Sequence, residues 1–378
     1  RLRFGARLPR LARLGPRGAA ALWDLLAGSA GHWLDRWFET DLLKGGLGFD
    51  AVVGRFASPY QGGSGYLLLH HSLGEVDGEE GAWGHAIGGM GAISEALAAA
   101  ARERGVEILC GAPAERIAAD EDGCAVELAG GRVIRARAVA AGVHPQLLFE
   151  RLLDPAQLPE TFRDRIRGWR SESASFRANL ALSELPDFSC LPGRRPAGHH
   201  AAGILIAPSL AYLDAAYFDA ERDGVSRSPV VELVIPSTLD ATLAPPGAHV
   251  ASLFCQHFRR RLPENTPWAA QRQAALDTVI DTVTAYAPNF RASILGAQAY
   301  TPEDLERRFG LVGGDIFHGA LDLDQLYWSR PAWGFAQYRT PVPRVYLCGS
   351  GAHPGGGVSG APGYNAARVI RRDLSASS

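Results

Sequence analysis

The sequence predicts an α/β protein: a partial doubly wound domain that lacks its first βαβ unit, joined to an α+β domain built on a mixed or antiparallel sheet. Three observations predict it. The chain ends in a short apolar run at residues 345–348, a loop dense in glycine, and a helically spaced segment with Ala366, Ala367, Val369 and Ile370. A helical segment after Gly91 leads into strand-like runs separated by turns at Gly123 and Gly130-Gly131. Residues 146–340 form a third block, where helical periodicities alternate with strand-like runs.

In order, residues 16–53 read as helices, with Pro16 suited to a first turn and Leu22, Trp23, Leu25, Leu26, Trp33 and Leu34 on apolar faces. Core packing is the default for these aromatics, and a lipophilic tunnel is the rival. Residues 66–73 make another apolar segment carrying His70 and His71. Adjacent histidines on one element point different ways, so no metal is expected there or elsewhere. Gly89-Met90-Gly91-Ala92-Ile93-Ser94 nearly fits G-x-G-x-x-G/A. The preceding Glu79, Glu80, Gly81 and Gly84 do not read as the buried strand that fingerprint needs, and it is rejected.

Strands are expected at 106–110, 114–118, 125–128 and 133–140, with Pro145 ending the return strand. Beyond it, helices are expected at 146–153, 161–169, 210–221 and 269–286. Strands are expected at 175–182, 230–235, 250–255 and 292–300. Residues 191–200 are rich in Pro, Gly and Arg and read as a surface loop, with His199 and His200 solvated. Trp328, Trp333, Phe335 and Tyr338 precede the last strand, read as core with a substrate-facing role as the alternative.

The final loop carries the chemistry. Glycine permits positive φ and close approach of a ligand to the main chain. The helix after it aims unpaired N–H groups and a partial positive charge at the same place. His353 is the one titratable side chain in the glycine-rich stretch. It is the candidate catalytic residue for proton handling, with a structural hydrogen bond as the rival.

The run Gly349-Ser350-Gly351-Ala352-His353-Pro354-Gly355-Gly356-Gly357-Val358-Ser359-Gly360 resembles the C-terminal flavin-contacting motif of the phytoene desaturase-like FAD-dependent oxidoreductases. Most nearly it resembles the subgroup named after a pyridine nucleotide-disulfide oxidoreductase domain. The resemblance implies FAD. It implies cofactor contacts at Gly349, Ser350, Gly351, Ala352, His353, Gly355, Gly356, Gly357, Val358, Gly360 and Ala361, and a main-chain contact to adenine at about Ala114. It also implies that the segment around Gly89-Met90-Gly91 begins a helix at the domain junction, facing the substrate. On this basis residues 82–145 and 341–378 belong to the FAD-binding domain, 146–340 to the substrate domain, and 1–81 to a helical part of the substrate domain.

The family's N-terminal strand–G-x-G-x-x-G–helix occurs nowhere in the sequence, so the sequence is expected to begin after that unit. Residues 1–17, with six Arg and no acid, read as the basic edge of helices, with a transit-like leader as the lesser alternative. The expected activity is hydride removal from a C–H bond of an apolar small molecule to the flavin. Two alternatives remain. A flavin amine oxidase is disfavoured because Lys44 is the sole Lys and because Ala361-Pro362, not Tyr, follows Ser359-Gly360. A non-catalytic binding module of the GDP-dissociation-inhibitor kind is disfavoured by the retained glycine loop.

Composition excludes other classes. The 378 residues carry a net charge of −2 with 47% hydrophobic and 21% charged residues, ordinary for a globular protein and without a basic face for nucleic acid. The five cysteines form no C-x-x-C, so neither zinc nor dithiol chemistry is signalled. No apolar run approaches a membrane span. Peripheral membrane contact and oligomeric state stay open. The expected location is cytoplasmic, or mitochondrial for a eukaryotic source.

Overall fold

The computed structural model describes residues 15–72, 75–76, 79–80 and 84–376; the basic segment 1–14 lies outside the described residues. The N-terminal helices are α1 (Gly15–Ala27), α2 (Ala30–Trp37), α3 (Asp41–Phe49) and α4 (Ser64–Ser72). Ser29 caps α2 by accepting from the His32 N–H at 3.2 Å. A two-residue antiparallel ladder, β1 (Glu75–Val76) and β2 (Glu79–Glu80), precedes α5 (Met90–Glu103). Among the described residues, the strands before Gly89 are these two short antiparallel ones, and residues 84–89 hold a turn.

A three-stranded antiparallel meander follows: β3 (Ala114–Ala119), β4 (Cys124–Leu128) and β5 (Val133–Ala136). The run expected as one strand at 133–140 is broken. Its second half is β6 (Val139–Ala141), which leaves the meander and pairs in parallel with the C-terminal strand. Residues 106–110 are a correction. They are irregular, and Val106, Ile108 and Leu109 are exposed, because no described strand lies beside them to pair with.

A π-helical turn at Leu147–Leu152 and α6 (Glu160–Arg167) lead into the central sheet. Its strands are β7 (Phe176–Leu182), β8 (Ile204–Ile206), β9 (Val225–Val234), β10 (His249–Phe258) and β11 (Ile294–Tyr300), and its order is β11-β7-β10-β9-β8, antiparallel throughout. The short β8 went unread because three residues give no period. Between these strands lie α7 (Leu210–Asp223), α8 (Trp268–Thr284) and the single turn α9 (Phe290–Ser293). Phe176, Ala178, Leu180, Leu233, Leu253 and Cys255 share one face of the sheet and pack on Trp268, Leu276, Val279 and Val283 of α8. The N-terminal helices form a second cluster through Leu34, Phe49 and Val52 on Leu210, Leu213 and Val230.

The loop at 191–200 is exposed up to Gly198, but His200 is another correction. It is fully buried, and its Nε2 lies 3.0 Å from the Pro186 carbonyl oxygen, because the turn at Gly198–Ala201 folds it under the loop.

Helix α10 (Pro302–Phe309) was not expected. Thr301 and Asp304 close a capping box at its start. The chain ends with β12 (Val345–Leu347) and α11 (Ala361–Ala376). Asp373 ties α11 back: it accepts from Arg339 Nε at 2.8 Å and Nη2 at 2.6 Å, and from the Tyr346 hydroxyl at 2.9 Å. No helix among the described residues is long and apolar enough to cross a membrane.

Candidate functional site

Strands β6 and β12 run in parallel, and both carboxyl ends open into loops at the same place. In an open α/β sheet that is where ligands bind. The two loops are pressed together. A Cβ on Gly349 would sit 2.5 Å from the Gly142 carbonyl oxygen, and one on Gly351 would sit 2.5 Å from the Pro145 ring. Glycine is therefore required there by backbone contact with the 142–145 turn. Ala352 is buried in the core shared with Ala141, Val345 and Leu347.

The loop has two halves. Residues 349–356 are anchored. Arg330, fully buried, donates from Nε (3.0 Å) and Nη2 (2.9 Å) to the Ser350 carbonyl oxygen. Its other donors reach the carbonyls of Phe317 (2.7 Å), Gln325 (3.1 Å), Gly319 (3.3 Å) and Ala320 (3.3 Å). Desolvation pulls its pKa down to about 10, opposed by buried Asp315 and by Tyr66. A Cβ on Gly356 would lie 2.6 Å from Phe317 Cδ1, so that glycine is packed too.

Residues 357–360 are open. All four are exposed, Val358 sits at φ 53°, and nothing lies within 4 Å of where a Gly360 Cβ would be. They deliver the chain to the first turn of α11. Pro362 removes one of the N–H groups that the helix start would otherwise present, and Ser359 Oγ accepts from the Ala361 N–H at 3.3 Å.

His353 sits at the join. Tyr338 donates to its carbonyl oxygen at 2.9 Å, and its ring lies 5.9 Å from that of Tyr327. Its Nδ1 is buried without a partner. Burial, then the Arg330 charge, holds its pKa below the usual imidazole range, so it is neutral at pH 7. Ala114 lies on the exposed start of β3, paired with Leu128, and no described hydrogen bond ties it to the glycine loop.

Helix α4 supplies residues the sequence reading set aside. Tyr66 and His70 lie one turn apart on one face. His70 is edge-on to Phe317 at 6.0 Å and interacts with the Gly356 backbone carbonyl; its Nε2 is 3.9 Å from a Gly357 Cβ position. Burial, then neighbouring His71, lowers its pKa to about 4. Tyr66 packs on Tyr327 at 6.2 Å, and desolvation raises its pKa. Their spacing was the available signal. Arg330 offered none, because a lone Arg before Pro331 looks like any loop Arg. The aromatic segment divides: Phe335 and Tyr338 join the core, while Trp328 and Trp333 are 54% and 72% exposed and pair at 5.9 Å.

The arrangement suits a flat, electron-rich ring lying along the main chain. An open glycine stretch, a helix start, an unpartnered buried imidazole nitrogen and an aromatic wall meet there, with Arg330 behind. Among the described residues no group of three His, Cys, Asp or Glu is placed to hold a metal. The cysteines are all free thiols. The sole Lys is taken up elsewhere: Lys44 Nζ pairs with Asp35 at 2.9 Å and Asp41 at 3.1 Å.

Residues 31–177 match the family model for flavin-containing amine oxidoreductases. The chain is 44% identical over 359 residues to pyridine nucleotide-disulfide oxidoreductase domain-containing protein 2 of Rattus norvegicus, covering 93% of this chain and 62% of the relative. An uncharacterised protein of Mycobacterium tuberculosis is 31% identical over 386 residues, covering 94% of this chain and 68% of that one. A lycopene-forming phytoene desaturase of a Paracoccus strain is 26% identical, covering 84% and 60%. Among solved structures, cyclohexylamine oxidase from Brevibacterium oxydans superposes with a TM-score of 0.54 at 19% identity, covering 95% of this chain and 70% of that one, a likeness of fold. The chain thus spans less than two thirds of the length of the rat relative.

Proposed function

The chain belongs to the phytoene desaturase-like family of flavin-containing amine oxidoreductases, and from that premise we propose that it contributes the substrate-facing and C-terminal cofactor-contacting parts of an FAD-dependent oxidoreductase acting on an apolar small molecule. Bound FAD would supply a two-electron acceptor for a hydride leaving a substrate C–H bond.

The protein's share is positioning, dryness and charge. Gly357 and Gly360 let the main chain approach the ring, and the start of α11 favours negative charge there. Arg330 fixes the anchored half of the loop through Ser350 and adds a buried positive charge behind it. His353 and His70, both neutral at pH 7, are hydrogen-bonding groups able to take up a proton. Tyr66, Phe317 and Tyr327 exclude water from that side.

The observation that carries this reading is the open half of the glycine loop at the carboxyl ends of two parallel strands. Lys44, ion-paired on α3, argues against the amine oxidase variant, which calls for a flavin-proximal lysine. The test is the visible spectrum after incubation with FAD and desalting, on this chain and on one extended to the length of its relatives. Retained flavin bands in either support the reading. If neither retains flavin, the oxidoreductase assignment falls and a non-catalytic binding role replaces it.

A further inference from the structure

The N-terminal helices turn large apolar side chains outward. Trp23 on α1, Trp37 at the end of α2 and Leu42 at the start of α3 are 64%, 65% and 70% exposed, and Leu43 beside them is exposed too. Trp33 joins the two tryptophans. With Trp23 it lines an open cleft of about 480 Å³ between α1 and α2, and its ring lies 6.2 Å from that of Trp37. Helix α1 has no buried residue, yet its end is firmly placed: the Gly28 carbonyl oxygen accepts from the Gly63 N–H at 2.9 Å and the Gly65 N–H at 3.3 Å. An indole is an apolar body with one polar N–H, and a contiguous group of them on the surface marks a place of contact.

The patch adjoins the glycine-loop site. Leu26, one turn beyond Trp23, packs with Tyr66, Phe317, Leu326 and Tyr327, the aromatic wall of that site. Directly after Tyr327 comes Trp328, which pairs with Trp333 at 5.9 Å, and these two are also more than half exposed. Exposed tryptophans therefore stand on both of the segments, α1 and 327–333, that build one wall of the site.

Positive charge is concentrated at the same end of the chain. Residues 1–44 carry eight basic and four acidic side chains, a net charge of +4 in a chain whose net charge is −2. Three of those acids are offset locally: Asp24 faces Arg36 at 4.0 Å, and Lys44 pairs with Asp35 and Asp41. Between Arg1 and Arg17 six Arg are interleaved with Leu2, Phe4, Leu8, Leu11 and Leu14, and Arg17 is exposed at the start of α1. Arginine complements lipid phosphate, while tryptophan and leucine enter the boundary between head groups and acyl chains. We propose that the exposed surface of α1–α3, with the basic segment that leads into it, docks on a bilayer containing anionic lipid, and that the apolar substrate passes from that bilayer to the glycine loop along the α1 side of its wall. The substrate route rests on the reading of the chain as part of an oxidoreductase; the docking does not, and it is measured without flavin.

The experiment is flotation of the protein with vesicles of phosphatidylcholine alone and of phosphatidylcholine with phosphatidylglycerol, at low and high salt. Binding to the anionic vesicles is expected to exceed binding to the neutral ones by about tenfold or more and to fall as salt rises. Trp23→Ser combined with Trp37→Ser should lower binding to the anionic vesicles by about tenfold or more, with little change in melting temperature, because both side chains are exposed. Arg13→Glu combined with Arg17→Glu should remove the preference for anionic over neutral vesicles. Flotation with neither vesicle overturns the inference, as does flotation that the paired tryptophan variant leaves unchanged. A concentration-dependent dimer in the absence of lipid, lost in that variant, overturns it in favour of a second copy of this chain. FAD uptake without flotation sinks this inference alone; flotation without FAD uptake sinks the functional reading and the substrate route, and leaves the docking.

Discussion

The Ser350 carbonyl oxygen accepts two hydrogen bonds from one side chain, Arg330, through Nε at 3.0 Å and Nη2 at 2.9 Å. The glycine loop is therefore held by a buried charge that also collects the carbonyls of Phe317, Gly319, Ala320 and Gln325. Replacing Arg330 with Ala strands these acceptors and should cost about 3–5 kcal/mol, with Lys recovering only a minor part because it lacks the planar fork. Urea unfolding of the three proteins checks this; a loss below about 1 kcal/mol in Arg330→Ala removes Arg330 from its anchoring role.

Beside Arg330, Asp315 is fully buried, with Oδ1 accepting from the Phe317 N–H at 2.7 Å and Oδ2 unpartnered. Burial raises its pKa to about 6, against backbone donors and Arg330 that lower it. The folded pKa lies above the unfolded value near 4, so the folded state binds its proton more tightly. Its stabilising contribution is fully present below about pH 4 and is lost as pH rises through about 6. The wild type should therefore lose about 2–3 kcal/mol relative to Asp315→Asn between those limits. Parallel stability–pH curves for the two proteins would contradict it.

His257 behaves in the opposite sense. Both ring nitrogens are buried without partners, between Phe56 and Tyr217, and burial alone lowers its pKa to about 3. Its folded pKa is depressed, so its contribution holds above about pH 6.5 and is lost as pH falls toward 3. His257→Phe should reduce the acid lability in that window. Chemical unfolding at pH 7 and pH 5 gives the comparison, and an unchanged difference between the two pH values counts against it.

The two halves of the glycine loop predict different substitution costs. Gly349→Ala drives a Cβ to 2.5 Å from the Gly142 carbonyl oxygen, a backbone atom that cannot give way. A loss of about 3 kcal/mol or more is expected. Gly360→Ala meets open space and bears only the strain of φ +66°, about 1 kcal/mol. Thermal melts of both variants decide it, and similar losses would erase the distinction between an anchored and an open half.

Much of this was legible because the signals are local. The final strand–glycine loop–helix, the meander and four of the five central strands announce themselves through period and turn residues. The failures are tertiary. Residues 106–110 have strand composition but no described neighbour to pair with. The run at 133–140 divides because β6 is drawn to β12, some 200 residues on. His200 is buried by a turn that composition reads as surface. The loop glycines could be recognised, but not that Gly349, Gly351 and Gly356 are required by the chain's own packing, while Gly357 and Gly360 face outward. The partners that define the site, Arg330, His70 and Phe317, come from segments far from the loop in sequence, which no motif links.

The central claim is that the open stretch at 357–360 lies against a flavin. The most direct measurement is a titration of FAD with the protein, followed by quenching of isoalloxazine fluorescence, on the wild type and on Val358→Glu. The account predicts saturable quenching that weakens about tenfold or more in the variant while its melting temperature changes little, since the Val358 side chain is 81% exposed and the exchange adds no side chain to a glycine-only backbone position. Saturable quenching that is identical in the two proteins, or none in either, would contradict it.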